Sequence, residues 1–73
     1  MSNSNELLTD LARLRKDKGY TQAQLAQAVG VSRKTINTVE NSVFVPSTVL
    51  ALKLAQELDV SVHDLFVLND KGA

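Results

Sequence analysis

The segment at positions 21–41, TQAQLAQAVGVSRKTINTVEN, constrains the fold more than any other part of this chain. Thr21 and Gln24 have the spacing of a capping box, which marks the start of a helix. Gly30 can take a positive φ at little steric cost, and Ser32 is a favourable N-cap for another helix. The spacing therefore predicts two short helices joined by a tight turn.

The second of these helices, over residues 33–41, has two different faces. At about 100° per residue, an arc of roughly 140° holds the polar side chains Arg33, Lys34, Asn37, Thr38 and Asn41. Ile36 and Val39 point the other way. Arginine and lysine can hydrogen-bond to guanine, and asparagine to adenine, in the major groove of DNA. Two helices around a glycine turn, the second with such a face, are typical of a DNA-binding helix-turn-helix.

Length and composition exclude several other classes of protein. At 73 residues, we expect one domain, 1–73, with a core over about 5–68. The chain has no cysteine and a single histidine, His63, so we expect no disulfide, no metal site, no cofactor and no catalysis. No apolar run approaches the ~20 residues of a membrane span, and the polar start lacks the regions of a signal peptide. We therefore expect a cytoplasmic protein.

The charged residues are unevenly distributed. The formal net charge is zero, which by itself disfavours binding to phosphates. Residues 13–34, however, hold six basic side chains and one acidic side chain, a local charge of +5. An alternative remains that Arg13, Lys16 and Lys18 only solvate a helix face.

A helix is also predicted before this segment. Ser4 or Asn5 can cap it, and Gly19 favours its end at about Lys18. A core-facing stripe is formed by Leu7, Leu8, Leu11 and Leu14.

Glu40 lies at the margin of the polar arc, where a carboxylate would be repelled by DNA unless it had a partner. We expect that partner to be Arg15, near the end of the first helix. Such a buried pair has a structural role, and removing one member typically costs about 3 to 5 kcal/mol.

The segment SVFVPS, residues 42–47, predicts a loop because Pro46 disfavours helix at the preceding residue. Phe44 is expected to fold onto the core, while Val43 or Val45 stays exposed.

Two further helices follow this loop. The fourth is expected to begin at Ser47 or Thr48 and to end near Leu58, and Ser61 can cap a short fifth helix. The apolar end of the chain predicts a dimer or partner surface formed by Val60, Phe66, Val67 and Leu68.

Residues 11–68 resemble the helix-turn-helix domain of the phage-repressor and Cro type, also called the XRE family. The resemblance rests on the segments LARLRKDKGYTQAQLA, VGVSRKTINTVEN and PSTVLALKLAQELDVSVHDLF. It implies an all-α, five-helix, lambda-repressor-like fold. It also implies a homodimeric transcriptional regulator, a repressor, that binds double-stranded DNA at a pseudo-palindromic operator.

The resemblance assigns roles to single residues. Base-reading positions are matched by Arg33, Lys34 and Thr38. Phosphate-binding positions are matched by Gln22 and Asn41. Positions near the backbone or the base edges are matched by Ser32, Thr35 and Asn37. A structural ion pair is matched by Arg15 and Glu40.

Two positions depart from the family pattern, and a second hypothesis stays open. Ser42 and Val43 stand where the family commonly has glycine and then lysine, so a left-handed residue is harder to place and one cationic phosphate contact is missing. The second hypothesis is a protein-interaction module, such as an antitoxin or bridging factor. In such a module, the apolar strip over residues 60–68 would bind the protein partner.

Overall fold

The computed structural model describes residues 6–69, which form five helices and two short strands. In chain order these are β1 (Leu7–Thr9), α1 (Leu11–Asp17), α2 (Gln22–Val29), α3 (Arg33–Glu40), α4 (Thr48–Leu58), α5 (Val62–Leu65) and β2 (Phe66–Leu68). The five helices confirm the mainly helical architecture expected from the sequence. Within this part of the chain, no helix has the length and apolar character needed to cross a membrane.

The first helix starts later than predicted. It begins at Leu11, and the N–H of that residue donates to the hydroxyl Oγ1 of Thr9 at 3.1 Å. The proposed caps Ser4 and Asn5 lie outside the described residues. The helix ends at Asp17 as expected, with Gly19 at φ 82° just beyond it.

The prediction that Leu7 and Leu8 belong to a helix was wrong, because both lie in β1. This strand pairs antiparallel with β2, in the register Leu7 with Leu68, Leu8 with Val67 and Thr9 with Phe66. The Thr9 hydroxyl also donates to the carbonyl of Leu65 at 2.8 Å. The two ends of the described chain are therefore joined by a small sheet.

The predicted N-caps of the later helices are confirmed. Thr21 Oγ1 accepts from the N–H of Gln24 at 3.0 Å, and Gln24 Oε1 accepts from the N–H of Thr21 at 2.9 Å, which completes a capping box. Each of the following helices has a serine cap that accepts a first-turn amide, and these caps are Ser32, Ser47 and Ser61. Of the two caps predicted for α4, Ser47 and Thr48, the structure has Ser47.

The core lies where α2, α3 and α4 meet, closed by α1 and α5. Its buried apolar residues are Leu11, Leu25, Ala26, Val29, Ile36, Val39, Leu50, Leu54, Ala55, Leu58, Leu65 and Phe66. Along α2 and α4 the buried residues recur at three- and four-residue spacing, as in an amphipathic helix. Full burial of one large aliphatic side chain stabilises the fold by about 1.5–3 kcal/mol.

The loop after α3 corrects another prediction. Phe44 does not fold onto the core but is 48% exposed, and both neighbouring valines are more exposed still. Ser42 takes a left-handed φ of 59°, and the N–H groups of Val43 and Phe44 both donate to the carbonyl of Thr38, at 2.9 and 3.2 Å. These bonds satisfy the end of α3 and direct the loop outward.

The predicted apolar surface near the C-terminus is only partly available. Phe66 is buried in the core, and Val60 is half-buried and packs against it. Val67 and Leu68 are exposed. The pairing of β2 with β1 orients Phe66 inward, so little of its side chain is available to a partner, and the assignment of Phe66 and Val60 to a dimer or partner surface stays a prediction.

Candidate nucleic-acid interface

The α3 helix lies with its polar face outward. Ile36 and Val39 are fully buried under it, whereas Arg33 and Lys34 are exposed in its first turn. Ser32 caps this turn by accepting from the N–H of Thr35 at 3.1 Å. The packing of two residues thus fixes which side of α3 faces solvent.

A tight turn sets the angle between α2 and α3. Gly30 ends α2 in a left-handed conformation, φ 81°, and its N–H donates to the carbonyl of Ala26 at 2.9 Å. The N–H of Val31 donates to the same carbonyl at 2.9 Å, and the half-buried Val31 side chain packs against the core. This pattern satisfies the last carbonyls of α2 and leaves α3 ready to start at the next cap.

The ion pair expected between Arg15 and Glu40 is present and nearly buried. The two side chains are 9% and 6% exposed, and Arg15 Nε donates to Glu40 Oε2 at 2.5 Å. Arg15 Nη2 donates to Glu40 Oε1 at 3.3 Å, and Nη1 donates to the carbonyl of Tyr20 at 2.8 Å. The pair joins α1 to the end of α3, so it holds Glu40 away from the outer face.

Gln22, the first residue of α2, joins this pair. Its amide Nε2 donates to Glu40 Oε1 at 2.9 Å, and the residue is half-buried. The sequence analysis matched Gln22 to a phosphate-binding position and did not predict this bond. Gln22 and Glu40 are far apart in sequence. The hydrogen bond between them could therefore be predicted only if the start of α2 were already known to lie next to the end of α3.

A second polar link, also missed from the sequence, joins the loop after α1 to α4. The hydroxyl of the half-buried Tyr20 donates a hydrogen bond to Glu57 Oε2. This bond is the main cause that raises the pKa of Tyr20 above its ordinary value, and burial and the Glu57 charge act in the same direction.

The polar side chains along α3 are partly engaged with one another. Asn41 Nδ2 donates to the carbonyl of Asn37 at 2.9 Å and to Asn37 Oδ1 at 2.5 Å. Thr38 Oγ1 donates to the carbonyl of Thr35 at 2.9 Å, and the hydroxyls of Ser32 and Thr35 share a hydrogen bond of 3.0 Å. The expected near-backbone residues thus form an ordered polar strip.

The basic residues differ in availability. Arg13 forms exposed ion pairs with Asp10 at 3.0 Å and Asp17 at 3.5 Å, which favours the alternative that it solvates a helix face. Within residues 6–69, neither Arg33 nor Lys34 forms an ion pair, so both retain their charge for a partner.

An apolar cleft of about 230 Å³ opens beside the end of α3, between the small sheet and the 42–47 loop. Its lining includes the apolar residues Val39, Phe44, Val45, Phe66 and Leu68, of which Val45 and Leu68 are the most exposed. Among the described residues that line it, Glu6 alone is charged.

The fold and this surface define a helix-turn-helix DNA-binding domain, and comparison with known families agrees. The family model described as Helix-turn-helix matches residues 11–65. The chain belongs to this family, the XRE-type helix-turn-helix transcriptional regulators.

Similar proteins extend over most of the chain. The HTH-type transcriptional regulator YgzD of Bacillus subtilis is 38% identical over 59 residues, which cover 81% of this chain and 89% of that protein. The restriction-modification controller protein C.AhdI from Aeromonas hydrophila has a TM-score of 0.70 and 37% identity, over 74% of this chain and 78% of that one. The master regulator for biofilm formation SinR, in complex with DNA, has a TM-score of 0.67 and 35% identity, over 73% of this chain and 86% of that one.

Proposed function

We propose that this protein is a sequence-specific transcriptional repressor that binds a pseudo-palindromic operator as a homodimer. Its main support is the outward polar face of α3, where Arg33 and Lys34 in the first turn form no ion pair with any residue in the range 6–69. In helix-turn-helix proteins, the N-terminal residues of the second helix contact base edges in the major groove. Occupation of the operator would block transcription without any catalytic step.

Each site residue has a proposed role in this complex. Arg33, Lys34 and Thr38 read base edges. Gln22 and Asn41 bind phosphates at the two ends of the motif, and Ser32, Thr35 and Asn37 lie near the backbone. The exposed first turn of α3 supports the first group, and the position of Gln22 at the first turn of α2 supports the second, because free amides and the positive end of the helix dipole favour phosphate there. The similarity to SinR, solved in complex with DNA, supports the assignment as a whole.

The apolar cleft supplies the proposed dimer surface. Val45 and Leu68, at 69% and 78% exposed, project beside a recess on the same face. In a two-fold dimer the same patch pairs with itself, so projections and a recess on one face can be mutually complementary. Residues 41–52 contain no charged side chain, and depletion of charge is typical of the centre of an interface.

This surface adjoins the end of α3 opposite to Arg33 and Lys34. A dimer formed through it therefore leaves Arg33 and Lys34 free. Two such helices in successive major grooves lie about 34 Å apart, which gives half-sites separated by ~10 base pairs centre to centre.

The test is a pair of substitutions measured on a selected operator. Arg33→Ala should relax specificity at one base pair and cost about 1–3 kcal/mol there. Gln22→Ala should weaken binding to operator and scrambled DNA about equally, because a phosphate contact carries no sequence information. Selection from a random duplex pool provides the operator, and titration of each variant with both DNAs provides the affinities. If the two variants lose affinity for operator and scrambled DNA in the same pattern, the assignment is overturned.

A second candidate is a protein-interaction module, favoured by the exposed apolar residues around Phe44. The salt dependence of the binding affinity distinguishes the two candidate functions. The logarithm of DNA affinity should fall steeply with the logarithm of salt concentration, whereas an apolar protein contact should respond little. A chain that binds no duplex at low salt but co-purifies with an unrelated protein would favour the module.

A further inference from the structure

The carboxylate of Glu40 accepts hydrogen bonds from two different residues. Arg15 donates to both of its oxygens, at 2.5 and 3.3 Å, and Gln22 Nε2 donates to Oε1 at 2.9 Å. With the Glu40 side chain only 6% exposed, this arrangement removes it from solvent contact. Its negative charge is balanced by the guanidinium of Arg15, so Glu40 does not repel a nearby phosphate.

The bond to Glu40 also determines which way the Gln22 amide faces. An ionised carboxylate can only accept hydrogen bonds, so the amide must turn its NH₂ group, and not its oxygen, toward Glu40. An amide nitrogen carries two hydrogens, and Glu40 takes one of them. Within the described part of the chain, the second N–H has no acceptor.

We propose that Glu40 is a positioning residue for DNA binding, which fixes the Gln22 amide so that its second N–H donates to a backbone phosphate. This inference rests on the proposed function, because it concerns the phosphate contact assigned there to Gln22. Glu40 itself contacts no DNA. It acts by ordering a side chain that would otherwise sample several rotamers before it binds.

Ordering a glutamine side chain in advance is worth on the order of a tenfold gain in affinity, because its rotamer entropy is lost before the complex forms. The Arg15–Glu40 pair then has two functions. It joins α1 to α3, and it presents a hydrogen-bond donor at the first turn of α2. The two functions can be separated by experiment, since only the second depends on Gln22.

The test measures whether the effect of Gln22→Ala depends on Glu40. The double substitution Arg15→Met with Glu40→Leu removes the pair but leaves no buried charge without a partner, an exchange that is often neutral for stability. Gln22→Ala is made in the unaltered chain and in this background. All four proteins are titrated with a mixed-sequence duplex at low salt, because a phosphate contact needs no operator. Gln27→Ala, at an exposed glutamine on the same helix, is the matched control.

In the unaltered chain, Gln22→Ala should weaken binding roughly tenfold, the size expected for one hydrogen bond to a charged group. In the double-substituted background the same change should weaken it by less than about twofold, and Gln27→Ala should have no effect in either. Equal losses in both backgrounds would overturn the inference while leaving the proposed function intact. No binding by the unaltered chain would overturn the proposed function, and the inference with it.

A second measurement does not depend on the folding of any variant. NMR relaxation of side-chain amides in the unaltered chain should show Gln22 more restricted than Gln27 and Gln56, which are both exposed. Equal mobility of the three amides in the unaltered chain would contradict the positioning role.

Discussion

Ser42 occupies a backbone conformation that glycine adopts more easily. Its φ of 59° lies in the left-handed region, where an L side chain costs roughly 1–2 kcal/mol. The conformation is required because the next two N–H groups turn back to the carbonyl of Thr38 at the end of α3. Ser42 therefore holds this turn at a steric cost that glycine would not have.

Ser42→Gly should stabilise the protein. Relief of the left-handed strain exceeds the entropy that glycine adds to the unfolded chain, and the net gain should be up to about 1 kcal/mol. Urea unfolding measures the free energy of unfolding. Ser42→Ala keeps the Cβ and removes only the hydroxyl, so it should show no such gain. A loss of stability in Ser42→Gly would mean that the hydroxyl, and not the backbone, determines this turn.

At the scale of single residues, the sequence predicted conformations that depend on local chemistry. The capping box of Thr21 and Gln24, the serine caps and the left-handed Gly30 were all predictable, because each involves neighbours within four residues. The bond from Gln22 to Glu40 was not, because it depends on how two helices are placed.

At the scale of secondary-structure elements, the buried Arg15–Glu40 pair connects α1 to the end of α3. Arg15→Met alone should destabilise the fold by about 3–5 kcal/mol, because it leaves the Glu40 carboxylate buried without its counter-charge. Adding Glu40→Leu should recover most of this loss by removing the unpaired charge. Urea unfolding of the single and double variants measures both effects. A double variant as unstable as the single one would show that the pair contributes through packing and not through charge.

The link between the α1–α2 loop and α4 should appear in the titration of Tyr20. This is the only tyrosine, and the chain has no tryptophan, so the ultraviolet absorbance of phenolate reports on this side chain alone. The hydrogen bond to Glu57, burial and the Glu57 charge all raise the pKa, so the midpoint should lie above the ordinary value of about 10. Glu57→Gln should lower it. A midpoint at the ordinary value in the unaltered chain would contradict the link.

The same shift makes stability depend on pH. A phenol whose pKa is raised by folding stays protonated in the native state while the unfolded chain loses its proton. The stabilising contribution of this bond is therefore complete below about pH 10 and is lost as the pH rises through the raised pKa. Tyr20→Phe removes this group, so the difference between its unfolding free energy and that of the unaltered chain isolates the effect.

The elements themselves were predictable to different degrees. The helices that follow a cap and an apolar stripe begin and end close to where the sequence places them. The first helix did not, because leucines at positions 7 and 8 fit a helical stripe as well as a strand. Only the pairing of β1 with β2, from opposite ends of the described chain, selects the strand.

For the whole molecule, the proposed dimer makes a clear prediction. Val45→Ser with Leu68→Ser should weaken self-association by about tenfold or more, because each change removes apolar area from the proposed interface. Both residues are largely exposed in a single protomer, so its own stability should change by less than about 0.5 kcal/mol. Sedimentation equilibrium measures the association, and circular dichroism checks the fold.

Leu52→Ser is the matched control for this prediction. Leu52 is also apolar and exposed, but it lies on α4 outside the cleft. If this variant dissociates as much as the double variant, the dimer uses the α4 face. If neither change affects a dimer that does form, the cleft is not the interface.

The charge of the whole chain is unevenly distributed along the sequence. The net charge is zero, yet residues 13–34 carry +5, and the two basic residues in the first turn of α3 form no ion pair in the described part of the chain. Arg13, in contrast, is engaged by two carboxylates of its own helix region. Attraction to DNA therefore depends on a local surface, and it should be sensitive to salt.

The helix-turn-helix, its caps and the polar face of α3 could be predicted from the sequence, because these follow from periodicity and from bonds between near neighbours. The sheet between the two ends, the outward loop at Phe44 and the inward position of Phe66 could not. The bond from Gln22 to Glu40 also came from the tertiary structure, whereas the Arg15–Glu40 pair was already expected from the sequence. Each of these depends on contacts between residues distant in sequence, where several pairings satisfy the same local pattern and only packing of the whole chain selects one.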